Sequence, residues 1–162
     1  MTFFDDGTTK INTSTWLQCG RAIASLLSLP IDRSSDSSTS TTFPVLSDFA
    51  NAPLRISSFL VSQRDMLSSL HRVLGTSDAN WTISHEATDK RVRDGAEEMK
   101  RGEMTGFAKQ MYSRMFYPNG DGDYEASKGL KNGVLGLPEE ELDEATRRTV
   151  EMVEGGWNPF AE

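Results

Sequence analysis

The sequence predicts a mixed α/β chain, α+β when taken alone, in which a small sheet is packed by amphipathic helices. Three observations carry that expectation. Residues 54 to 75, LRISSFLVSQRDMLSSLHRVLG, read as one strand running into one capped helix. Residues 80 to 85, NWTISH, alternate Trp81, Ile83 and His85 with Thr82 and Ser84 and read as a second short strand pairing beside the first. The remaining apolar residues recur mostly at helical spacing, in segments closed by Pro or Gly.

In the central unit, Leu54, Ile56, Ser58 and Leu60 fall on one face of an extended segment, with Phe59 and Val61 on the other. Ser62 stops the strand, and Asp65 three positions on completes a capping box. A helix over 63–74 then aligns Met66, Leu67, Leu70, Val73 and Leu74, and Gly75 supplies a left-handed stop. Leu70 is expected at the centre of the buried stripe and Ser69 on the opposite side.

Before this unit, Thr2 to Asp5 read as a strand stub closed by an Asp6-Gly7 turn. Thr13 or Ser14 caps a helix to about Ser28, with Trp16, Cys19, Gly20, Ile23, Leu26 and Leu27 on its packed side. Gly20 is expected to admit a close backbone. Pro30 ends the helix. Residues 32–52 form an insertion whose Ser/Thr-rich part, Asp32 to Thr42, lacks the apolar content to offset the entropy of ordering, so mobility is expected.

After the unit, Thr88 to Arg101 form a charged surface helix with a narrow stripe of Val92, Ala96 and Met99, weakened by Gly95. Met104 to Phe116 form a helix whose apolar and aromatic residues exceed one stripe. From Pro118 to Asp123 the chain turns, and Leu130 to Leu137 is a short apolar segment cut by glycines. Pro138 opens a last helix with Glu139, Glu140 and Glu141 in its first turn. Spaced pairs Asp143–Arg147 and Glu144–Arg148 and a buried line of Leu142, Thr146, Val150 and Val153 follow, closed by Gly155-Gly156.

The 162 residues suit one domain, 1–162. A formal charge of −7 and a pI near 4.9, with basic residues scattered singly, disfavour nucleic acid as a partner. No stretch reaches the roughly 18 apolar residues of a membrane helix, so no membrane partner is expected. A lone cysteine, Cys19, permits no internal disulfide and is expected to be a buried small residue; a cytoplasmic chain is the simplest reading.

Few residues point to chemistry. His85, followed by Glu86 at a strand end, is the candidate for acid or base work, although no nucleophile or orienting partner stands out for it. His71 is expected at the surface. The surplus on the Met104–Phe116 helix makes Phe107, Met111, Tyr112, Met115 and Phe116 candidate substrate-binding residues, as walls of an apolar pocket. Asn119, Asp121 and Asp123 imitate the start of a calcium loop, but Tyr124 stands where glycine is required and Leu130 where the bidentate Glu belongs, so no metal is assigned. The Gly129, Gly133 and Gly136 pattern follows no apolar strand and runs into Pro138, which does not make a phosphate site.

The succession GTTKINTSTW, LRISSFLVSQRDML, NWTISH, RGEMTGFAKQMYSRMFY with GDGDY, and NGVLGLPEEELDE resembles the C-terminal half of fungal NmrA-like, isoflavone-reductase-like proteins, atypical members of the short-chain dehydrogenase/reductase superfamily. The resemblance runs from about Phe3 to Glu151, outside the Ser/Thr-rich insertion. It implies the substrate-side half of a fold whose full-length members bind NADP or NAD on an N-terminal Rossmann domain. No Gly-rich turn after an N-terminal strand, no basic residue for a 2′-phosphate and no counterpart of the family's dinucleotide-domain Lys is found here. No family catalytic or cofactor residue is therefore carried over.

The resulting expectation is a shortened member of that oxidoreductase family, from specialised small-molecule metabolism, unable to transfer hydride alone and holding no cofactor itself. A cofactor-free isomerase or cyclase using His85, and a non-enzymatic binding or regulatory module, are the alternatives. Expected partners are a small apolar or aromatic molecule and a Rossmann-domain partner or a second copy.

Overall fold

A computed structural model describes residues 1–33 and 43–157. It is α+β: six α-helices and four three-residue strands, with two 3₁₀ turns at Leu46–Phe49 and Asp78–Asn80. The strands form two separate ladders. β1 (Thr2–Phe4) pairs in parallel with β4 (Ser84–Glu86), and β2 (Ile11–Thr13) pairs antiparallel with β3 (Phe59–Val61). The expected pairing of the NWTISH strand beside the 54–60 strand is thus corrected, since that segment lies against the N-terminal strand instead. β2 was not foreseen.

Only Phe59–Val61 of the expected 54–60 strand is a strand. The reason lies in what satisfies the backbone before it. The Asn132 side chain accepts from the Ser57 N–H at 3.1 Å and donates to its carbonyl at 2.6 Å, standing in for a neighbouring strand. The Tyr124 hydroxyl donates to the Ile56 carbonyl at 2.7 Å, and Lys131 N–H donates to Arg55 at 2.8 Å.

α2 (Gln63–Leu74) forms as read, with the Ser62–Asp65 capping box and Gly75 at φ +66°. Its buried side differs from expectation. Leu67 and Ser69 are buried, whereas Leu70 is half-buried and Leu74 is exposed. The partner of this face is α6 (Leu142–Glu154), and polar groups join the two helices. Ser69 Oγ donates to Asp143 at 2.7 Å and lies 2.7 Å from Thr146 Oγ1, while Arg72 clasps Asp143 through two bonds of 2.7 and 2.6 Å. Asp143 therefore pairs across helices rather than with Arg147.

α6 starts at Leu142, not at Pro138. Gln18, itself buried, donates to the Pro138 carbonyl at 2.8 Å, and Glu140 is drawn inward, so this stretch is held out of the helix. α1 (Trp16–Leu27) is capped by Thr15 and buries Gln18 and Ala22. The side expected to pack is reversed: Trp16, Gly20, Ile23 and Leu27 are exposed, and Cys19 is half-buried. The expected Ser/Thr-rich segment falls almost wholly outside the described residues. Around it, Leu46 and Ser47 N–H groups donate to Pro30 and Ile31 carbonyls, Arg33 clasps Asp48, and Val45 is buried, so 43–52 is anchored.

α3 (Thr88–Lys100) and α4 (Thr105–Met115) make a tight hairpin. Asp5, in the left-handed region at φ 52°, caps α3 from outside by accepting from the Thr88 N–H at 3.0 Å and its hydroxyl at 2.5 Å. Phe116 meets Phe4 edge-on at 5.5 Å, and Arg91 stacks over the same Phe4 at 4.8 Å, which ties the hairpin to β1. α5 (Tyr124–Lys128), a single turn not foreseen from the sequence, is capped by Asp123 and sits on β2 through Asn12.

Candidate functional site

The site begins with the entry of β2 into α1. Thr13, Ser14 and Thr15 bring the chain to the first turn of α1, where Trp16 and Leu17 project. Phe59 opposes Thr13 in the β2–β3 ladder. From α6, Ala145, Arg148, Thr149 and Met152 occupy positions i, i+3, i+4 and i+7, one helix face. Trp157, just beyond α6, meets Trp16 edge-on at 5.5 Å and 76°. These groups enclose a cleft of about 430 Å³, within the size range of small-molecule sites, with mostly apolar walls.

Glu140 holds this corner together. Its side chain is buried and accepts from Ser58 at 2.6 Å, Thr15 at 2.7 Å and Arg21 at 3.1 Å. Burial pushes its carboxyl up, but the bonds from Ser58, Thr15 and Arg21 outweigh that, so it lies below its ordinary value and stays ionised. Arg148 is its neighbour at 3.8 Å, beyond hydrogen-bond distance, and Glu144 is 4.0 Å away.

The residues read from the sequence lie elsewhere. Phe107, Met111, Tyr112 and Met115 are exposed on α4, and Phe116 is half-buried against Phe4; none lines the cleft. His85 is the middle residue of β4 rather than a strand end. Its Nδ1 donates to the Asp5 carbonyl at 2.8 Å and its ring lies 5.5 Å from Phe3, but no hydroxyl, thiol or carboxylate bonds to it among the described residues, and Glu86 is engaged by Arg91 at 2.6 Å. His71, expected at the surface, is half-buried; its Nε2 has no hydrogen-bond partner among the described residues and stands 3.7 Å from Asp78.

Asp121 is bonded by Arg114 and Asn119, and Asp123 caps α5. Among the described residues no group of three or more His, Cys, Asp or Glu is placed to hold a metal ion, and no helix is long and apolar enough to cross a membrane. The chain matches no protein-family model, no curated protein and no solved structure.

The cleft-lining residues were missed for a specific reason. Arg148 reads naturally as the partner of Glu144, and Trp16 as part of a packed helix side. The available signal was the 145, 148, 149, 152 spacing, which sets one Arg among small and apolar side chains next to the line chosen for burial.

Proposed function

We propose that this chain is a small-molecule-binding domain whose ligand occupies the cleft between α1 and α6. It would serve as the substrate side of an oxidoreductase-family protein of the NmrA-like, isoflavone-reductase-like kind that its sequence resembles. The observation that supports this reading most is the cleft of about 430 Å³ walled by Trp16, Leu17, Phe59, Met152 and Trp157. Aromatic walls with a few polar groups suit an apolar ligand that is oriented rather than transformed.

A proton-moving role fits less well. His85, the side chain best placed by sequence for acid or base work, does not line the cleft. We therefore assign the cleft binding and positioning and give the chain no chemical step of its own.

The test is a titration with 1-naphthol followed by tryptophan fluorescence. Binding in the native chain should perturb Trp16 and Trp157, and Ala145→Phe, which projects a ring from the α6 wall, should abolish it. Unchanged binding in that variant would place the ligand elsewhere, with the exposed α4 side chains as the next site to test.

A further inference from the structure

We infer that the ligand class of this cleft is a planar aromatic monoanion, a fused-ring carboxylate held with its rings beside Trp16 and Trp157 and its charge at Arg148. This rests on the small-molecule reading above and specifies the ligand.

The polar groups that face the cleft point to this ligand. Among the described residues Arg148 is the one charged side chain in the lining of the cleft. Its guanidinium makes no hydrogen bond among the described residues; Glu140 at 3.8 Å and Glu144 at 4.0 Å are its nearest carboxylates. Glu140 is already bonded to Ser58, Thr15 and Arg21, which leaves Arg148 as the charged group with free donors.

The lining hydroxyls contribute no competing donors. Thr13 donates to the Phe59 carbonyl at 3.5 Å, Ser14 to the Ile56 carbonyl at 3.3 Å, Thr15 to Glu140 at 2.7 Å and Thr149 to the Ala145 carbonyl at 3.0 Å. Among the described residues the lining thus offers a guanidinium fork without a hydrogen-bond partner and no negative charge. A cation meets Arg148 repulsively, a neutral aromatic offers the fork at most an uncharged acceptor, and a carboxylate accepts from it in the paired geometry guanidinium favours. The N–H groups of the first turn of α1, at the same wall, add a weaker field of the same sign. Edge-on Trp16 and Trp157 supply the flat apolar surface that fused rings require.

The experiment compares sodium 2-naphthoate with its neutral near-isostere 2-naphthamide by calorimetric titration at low ionic strength. In the native chain the carboxylate should bind about tenfold tighter or more. Arg148→Gln, a change at a half-exposed position on α6, should erase that preference by weakening the carboxylate far more than 2-naphthamide. Arg148→Lys, which keeps charge and loses the fork, should restore part of it.

Equal affinities in the native chain would overturn the anion assignment and leave the small-molecule reading standing. A preference that survives Arg148→Gln would overturn the role of Arg148. Binding of neither compound to the native chain would overturn both this inference and the reading beneath it.

Discussion

Ser69 shows how a small polar side chain can outweigh a large apolar neighbour. Its relative exposure is 0%, and its hydroxyl joins Asp143 and Thr146 where α2 meets α6. Removing that hydroxyl breaks two hydrogen bonds, those to the half-buried Asp143 and Thr146, so Ser69→Ala should lower stability by about 1–3 kcal/mol. Leu70→Ala, at a half-buried position, should cost no more than this and less than the 2–5 kcal/mol typical of a core leucine. Urea melts of both variants check the order. Asp143 adds a pH dependence. The Arg72 guanidinium, and after it the Ser69 hydroxyl, hold its carboxyl from its ordinary 3.8 down to about 2. A folded value below the unfolded one means that the stabilisation is complete above pH about 4 and is lost as pH falls toward 2. Asp143→Asn should therefore flatten the fall in melting temperature between pH 4 and 2, which thermal melts across that range measure. The sequence identified the extent and caps of α2 because Ser62, Asp65 and Gly75 act locally. It did not identify the buried side, because polar residues make the contact and hydrophobic periodicity is blind to them.

At the scale of elements, the α3–α4 hairpin is decided by two glycines. A Cβ on Gly95 would lie 2.8 Å from the Gly106 carbonyl oxygen and from the Gln110 amide nitrogen, and one on Gly106 would lie 2.5 Å from the Gly95 carbonyl oxygen. The sequence reading treated Gly95 as a weakness of its helix and placed the close approach at Gly20, which has nothing within 4 Å of a Cβ. In isolation Gly→Ala strengthens a helix by about 1 kcal/mol. Here the backbones must part to admit the methyl, so Gly95→Ala and Gly106→Ala should each destabilise the chain, whereas Gly20→Ala should raise the melting temperature slightly. Thermal melts of the three variants measure the contrast, and equal gains would mean that the helices separate without cost. Strand pairing was illegible for a related reason. Three-residue strands carry too little alternation to fix register or partner, and the Asn132 side chain occupies hydrogen-bonding groups that a neighbouring strand would otherwise use.

The whole molecule leaves much of its apolar surface in contact with solvent. Among the described residues the buried hydrophobic set is Phe3, Ile11, Ala22, Val45, Val61, Leu67 and Leu135, mostly medium-sized or small side chains. Against it stand exposed Trp16, Ile23 and Leu27 on α1, exposed Phe107, Met111 and Tyr112 on α4 and exposed Met104 just before it, with Trp16 at 71% and Met104 at 81%. Cohesion therefore rests heavily on polar linkages: Glu140 joining Thr15, Ser58 and Arg21, Asn12 joining Ser57 and Glu125, and Asp143 joining α2 to α6. This balance has a calorimetric consequence, because the heat capacity of unfolding follows newly exposed apolar area and is reduced by polar exposure. A compact chain of this length should show about 2 kcal/mol/K. The isolated monomer should fall clearly below that value, and its urea m-value should be low for its length for the same reason. Scanning calorimetry at low protein concentration, with sedimentation to confirm the monomer, measures the first quantity. A monomer reaching the full 2 kcal/mol/K would mean that α1 and α4 bury their outward side chains in solution, and the arrangement of these two helices would then be the part of the fold to revise.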